Sequence, residues 1–150
     1  MNLSSLKPSG RRTVLSILER LGFDTSRWYD TRGYPASNPA YCYRWSFLNE
    51  VTGDVVFCLW FDCLELENDT VFCIKDHSES VAHLRGYAPA VIKRMEDFYD
   101  HLSMVSHSGI KCRVIICSRV GMSFRVSSRQ LDSNFWIVKR SGNVFRMIRC

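Results

Sequence analysis

The sequence has no run approaching about 20 uncharged apolar residues, which excludes a membrane-spanning helix. Its opening segment, MNLSSLKPSGRR, lacks the apolar stretch of a secretory signal, so a cytoplasmic location is expected. No C-x-x-C pair occurs, although there are seven cysteines. Five of them (Cys42, Cys58, Cys73, Cys112 and Cys117) lie inside aromatic or β-branched runs, where a thiol behaves as a small hydrophobe. Buried, reduced thiols are therefore expected rather than a disulfide framework. Catalytic signatures are missing as well: there is no G-x-x-x-x-G-K, no G-x-G-x-x-G and no G-x-S-x-G elbow. The four histidines, His77, His83, His101 and His107, show neither zincin nor deaminase spacing and read as surface residues. No catalytic residue, metal or cofactor is expected for this chain alone.

What is present fits one domain of 150 residues with a real core. Apolar residues make up 46% and charged residues 23%, which excludes disorder and low complexity. The net charge of +5 is unevenly spread. Residues 1–110 balance at −3, whereas residues 111–150 carry nine basic side chains against Asp132 alone, a balance of +8. Fifteen of the twenty basic residues are Arg, whose planar fork matches phosphate and the guanine edge better than Lys does. A phosphate-tracking surface is one reading of this segment, and a solvated basic face is the other. Arg113, Arg119, Arg125, Arg129, Lys139 and Arg140 are its candidate phosphate ligands.

Periodicity places the elements. Ser9 is a candidate cap for a helix on which Val14, Leu18 and Leu21 recur, with Gly22 as its stop. Residues 23–40 carry turn chemistry. Tyr41 to Leu48 alternates as a strand, with Tyr41, Tyr43, Trp45 and Phe47 on one face. Val55 to Phe61 is apolar on both faces, as a covered strand should be. Thr70 to Ile74 is a third strand, and a second helix begins near Pro89 with Val91, Met95, Phe98 and Leu102 as its buried stripe. Strands follow at Lys111–Ser118, Ser123–Arg129, Phe135–Arg140 and Val144–Arg149. The sum is an α+β domain with a curved, mainly antiparallel, barrel-like sheet of about six strands and two helices.

Two clusters carry chemistry. Asp54, Asp62, Glu65 and Glu67 are either a solvated acidic loop or a Mg²⁺ site. The aromatics from Trp28 to Trp60 serve either a half-buried core or a base-stacking pocket. Tyr34 and Asn38, in a proline-bearing loop, together with Tyr41, Tyr43, Trp45 and Trp60, are the candidate residues of such a pocket. On the later strand, Ser123, Arg125, Ser127 and Arg129 share a face suited to phosphate oxygens or to solvent.

The segment Ser37-Asn38-Pro39-Ala40-Tyr41-Cys42-Tyr43-Arg44-Trp45-Ser46-Phe47 resembles the N-terminal domain of Mcr-type, modification-dependent bacterial HNH restriction endonucleases. Asp24-Thr25-Ser26-Arg27-Trp28, Val55-Val56 and Leu59-Trp60 continue the likeness, which covers roughly residues 7–118. This chain holds no HNH motif, and Phe61 stands where the family often has His or Tyr. The resemblance implies recognition of modified double-stranded DNA, by a modified cytosine or backbone, in restriction of foreign DNA, with cleavage by an HNH nuclease domain or subunit. Two other functions are consistent with the residues: a protein-interaction module of a defence system, and a small metal-dependent nuclease built on the acidic cluster.

Overall fold

Val55–Trp60 is apolar at every position and buried at every position, so a strand here needs cover on both faces. The computed structural model, which describes Met1–Cys150, supplies it. The α+β architecture comprises three α-helices and two four-stranded sheets. The helices are α1 (Val14–Arg20), α2 (His77–His83) and α3 (Pro89–Ser108). The first sheet orders β1 (Ser46–Leu48), β2 (Val55–Trp60), β5 (Arg113–Arg119) and β6 (Val126–Leu131). The second orders β3 (Glu65–Glu67), β4 (Thr70–Asp76), β8 (Val144–Arg149) and β7 (Trp136–Ser141).

One face of the first sheet packs with α3 and the second sheet around Phe57, Phe98, Leu102, Val114 and Trp136. Its other face packs with α1 and Trp28 around Ile17, Leu18, Val56 and Ile115. Thus the central strands β2 and β5 lie between two cores.

The sheets differ from the single barrel-like sheet that the sequence suggests. β2 and β5 pair in parallel, so the chain must leave the first sheet and return to it, and the second sheet is built during that excursion and after it. The two sheets meet at one backbone bridge, Cys112 with Trp136. A third helix, α2, is added where Asp76 caps the backbone N–H groups of Ser78 and Glu79. Thr13, not Ser9, caps α1 through the Ser16 N–H. Pro89 opens α3 as expected, and Gly109, at φ +70°, closes it in the left-handed conformation that favours glycine. The expected strand Tyr41–Leu48 shrinks to Ser46–Leu48. Asn38 O accepts from the Tyr41 and Cys42 N–H groups, which coils residues 38–42 before the strand begins.

No helix is long and apolar enough to cross a membrane. The cysteines are all free thiols, and Cys58, Cys73, Cys112 and Cys117 are buried. Burial pushes the Cys73 thiol up to about 11 and the Cys112 thiol up to about 12, so both stay protonated at neutral pH.

The seam between the sheets also carries an ion pair. Asp132 is 5% exposed, and its carboxylate accepts from Arg149 Nε at 2.7 Å and from Trp136 Nε1 at 2.7 Å. Burial pushes this carboxyl up, but Arg149 and Trp136 outweigh burial and hold it below the usual carboxylate range. Its folded value therefore lies under its unfolded one. The stability it contributes is complete above the unfolded value and is lost as pH falls through the folded value. Asp132→Ala strands a guanidinium and an indole N–H, and is expected to cost about 3–5 kcal/mol in urea unfolding. Asp132→Asn should also flatten the acid limb of stability against pH. A loss within experimental error of zero for Asp132→Ala would contradict this role.

Candidate nucleic-acid interface

A cavity of about 690 Å³ opens where both sheets, α1, α2 and α3 come together. Its volume falls inside the roughly 300–1,000 Å³ range of small-molecule and cofactor sites. Aromatic rings line it from five places in the sequence: Tyr43 and Trp45 before β1, Trp60 at the end of β2, Tyr87 before α3, Phe98 and Tyr99 on α3, and Phe124 before β6. Five cations also line it: Arg44, Lys75, Arg94, Arg125 and Arg129. No carboxylate does. Such a site favours a flat, apolar, anionic guest, because a stacking surface and an uncompensated positive potential coincide.

Local packing fixes the rings. Trp45 and Trp60 lie 4.9 Å apart between centroids, and the Trp45 carbonyl accepts from the Cys58 N–H at 2.9 Å. Arg119 lies 4.4 Å over the Trp60 ring while gripping Asp62 with Nε at 2.7 Å and Nη2 at 3.0 Å. The Arg119 guanidinium beside Asp62 holds that carboxyl below its usual range. On the opposite side Arg94 sits 5.5 Å over the Tyr43 ring. At the α2 end, the hydroxyls of Ser80 and Tyr99 are 2.6 Å apart, and His77 stacks on Tyr99 at 4.5 Å. His77 also pairs with Glu96, and His101 Nδ1 meets Ser46 Oγ at 2.6 Å, so two of the four histidines are packed into the fold rather than free on its surface. Burial lowers the His101 pKa from its ordinary value, against the opposing pull of Asp97 and Asp100.

The residues singled out from sequence divide sharply. Tyr43, Trp45, Trp60, Arg125 and Arg129 converge on the cavity. Tyr34 is 71% exposed and lies outside the lining, although Ala36 and Ser37 of the same loop belong to it. Asn38 is 5% exposed, with its amide nitrogen donating to Trp28 O at 2.9 Å and its amide oxygen accepting from the Ala40 N–H at 3.0 Å. That amide is engaged in shaping the loop, so it has no edge to offer a base. Tyr41 stacks on Trp28 at 5.4 Å and belongs to the core behind the cavity.

Among the basic candidates, Arg113 donates to Asp132 O and covers the Phe135 ring, and Arg119 is held by Asp62. Both are structural in this fold. Lys139 and Arg140 stand on β7 of the second sheet, away from the lining; Arg140 is tied to Gly142 O and Ser103 Oγ. Arg125 precedes β6 instead of sharing its face with Arg129, because the strand begins at Val126.

Sequence reasoning missed Arg44, Lys75, Arg94, Tyr87 and Tyr99. They come from β4, α3 and the loops before β1 and α3, and only the crossover that builds the second sheet unites them. The acidic cluster is not assembled either. No group of three or more His, Cys, Asp or Glu side chains is placed to hold a metal ion, and Asp62 faces Arg119. Incubated with plasmid DNA in Mg²⁺, Mn²⁺ or Zn²⁺, the chain is expected to leave it intact. Cutting that vanishes in Asp62→Ala would contradict this assignment. A scan against protein-family models and searches of curated proteins and solved structures give no match to this chain.

Proposed function

We propose that the chain is a DNA-binding specificity domain that reads modified DNA, holding a modified nucleotide in the cavity while cations along its rim take the phosphates. In this reading, cleavage in restriction of foreign DNA belongs to an associated HNH nuclease domain or subunit, as the resemblance at Ser37–Phe47 implies. The observation that carries the proposal is the coincidence of aromatic rings with five cations and no carboxylate in one cavity. A nucleotide has the three properties this lining selects: a flat stacking face, an apolar body and a negative charge. The volume favours a whole extruded nucleotide over a methyl group or a sulfur atom alone, either of which would leave most of the space unfilled.

Base–aromatic stacking contributes about 1–3 kcal/mol per base and is indifferent to sequence. Discrimination then comes from the fit of the modification against Tyr43, Trp45 and Tyr87, the rings that keep exposed surface where Trp60 and Tyr99 are buried. Phosphate contacts add affinity and salt dependence.

The test is binding to four otherwise identical duplexes carrying plain cytosine, 5-methylcytosine, 5-hydroxymethylcytosine or a phosphorothioate. One modified duplex is expected to bind more tightly than the plain one, and all binding should weaken with salt. Arg125→Ala and Arg129→Ala should each flatten the slope of log K against log salt by about 0.9 for every phosphate the arginine neutralises. Tyr43→Ala should reduce the preference for the modified duplex by about 1–3 kcal/mol while non-specific affinity persists. Equal, salt-insensitive binding to all four duplexes would sink the proposal in favour of a protein partner.

A further inference from the structure

Beside the cavity mouth, the turn between β5 and β6 exposes three apolar side chains in alternation: Val120 at 79%, Met122 at 80% and Phe124 at 66%. Other large apolar side chains are exposed in this chain, but these three stand together within five residues at one hairpin tip, and a contiguous apolar cluster of this kind marks an interaction site. Its setting is built. A register shift at Ser118/Arg119 interrupts the β5–β6 pairing, and bulges of this kind re-aim a hairpin next to functional sites. Gly121, at φ +61°, turns the chain sharply at the tip. Arg119, anchored on Asp62 and Trp60, donates from Nη1 to Ser123 O at 3.4 Å. The tip is thus braced against the same ring that lines the cavity, and Phe124 and Arg125 belong to both tip and lining.

We propose that this hairpin tip is a wedge that enters a DNA base step, with Val120 and Met122 taking the space vacated when a nucleotide swings into the cavity. The inference rests on the DNA reading above and adds the element that opens the duplex. Extruding a paired base leaves a gap in the stack, and apolar side chains inserted between base steps are a general means of compensating for lost stacking. The adjacent charges match a polyanion: Arg125 follows the tip directly, and Arg129 lies further along β6. Val51, 91% exposed in the turn between β1 and β2, makes the contrast. It lies between Glu50 and Asp54, whose charge repels phosphate.

The experiment uses the full chain and whichever of the four duplexes binds most tightly, with 2-aminopurine at the step beside the variable nucleotide. Unstacking raises the fluorescence of this base analogue. Wild-type binding is expected to raise it. The variant Val120→Ser/Met122→Ser should melt at the wild-type temperature, since both side chains are exposed. It should bind the paired duplex about tenfold more weakly or worse, without the fluorescence rise. Its affinity should recover on a duplex whose stack is already broken by an abasic site opposite the variable nucleotide.

Binding by the variant with an undiminished fluorescence rise would overturn the wedge and leave the DNA reading standing. A wild-type complex in which the analogue stays quenched would do the same. No DNA binding by the wild type would remove both. Capture by phosphatidylserine vesicles, abolished in the variant and unmatched by any fluorescence change on DNA, would make the tip a lipid contact and overturn the inference.

Discussion

Asp132 stands just beyond the end of β6, and its carboxylate reaches into the second sheet to Arg149 and Trp136 at once. Its backbone is anchored to β5 of the first sheet, with the N–H donating to Val114 O and the carbonyl accepting from Arg113. The two four-stranded sheets share one backbone bridge and the apolar core around Phe57, Leu102 and Trp136, and Asp132 adds the directional, polar tie between them. A buried charge is costly unless its partners are complete, so this carboxylate tolerates few alternative arrangements. Because the cavity takes walls from both sheets, its shape inherits that constraint. Lys75 of β4 in the second sheet shares the lining with Trp60 and Arg129 of the first.

The same principle sorts the arginines. Those with a carboxylate, a carbonyl or a ring already assigned build the fold: Arg149 on Asp132, Arg119 on Asp62 and Trp60, Arg113 on Asp132 O and Phe135. Arg125 and Arg129, in the cavity lining, form no salt bridge, whereas Arg44 and Arg94 of the same lining lie over the Tyr41 and Tyr43 rings. A basic segment is therefore two populations. The sum of charges along residues 111–150 does not separate them, whereas the location of each counter-charge does.

Where a single element determined its own structure, the sequence was legible. β2 reads as an unbroken apolar run and is a doubly covered strand; β8 has the bounds its alternation predicts; α3 begins at its proline. Errors arose where long-range pairing decided. The alternation of Tyr41 to Phe47 is real, but Asn38 and Pro39 wind the preceding turn tightly and direct Tyr41 to the core and Tyr43 to the cavity. Parallel pairing of β2 with β5 has no local signature, so neither the split into two sheets nor the convergence of Lys75, Arg94 and Tyr99 with Trp60 was visible. α2 is different. Its Asp76 cap followed by Ser78 and Glu79 was a readable start signal, hidden only by the short length of the helix.

The central claim is that the aromatic cavity, and not the basic second sheet, receives DNA. The four tryptophan indole N–H groups serve as probes: Trp45 and Trp60 line the cavity, Trp60 from within the core it shares with Trp28, while Trp28 and Trp136 are buried away from the lining. Titration of isotope-labelled protein with the modified duplex, followed by the four indole resonances, tests the claim directly. The account predicts large shifts of Trp45 and Trp60 with Trp28 and Trp136 little changed. Shifts confined to backbone signals around Lys139 and Arg140, with Trp45 and Trp60 unmoved, would contradict it.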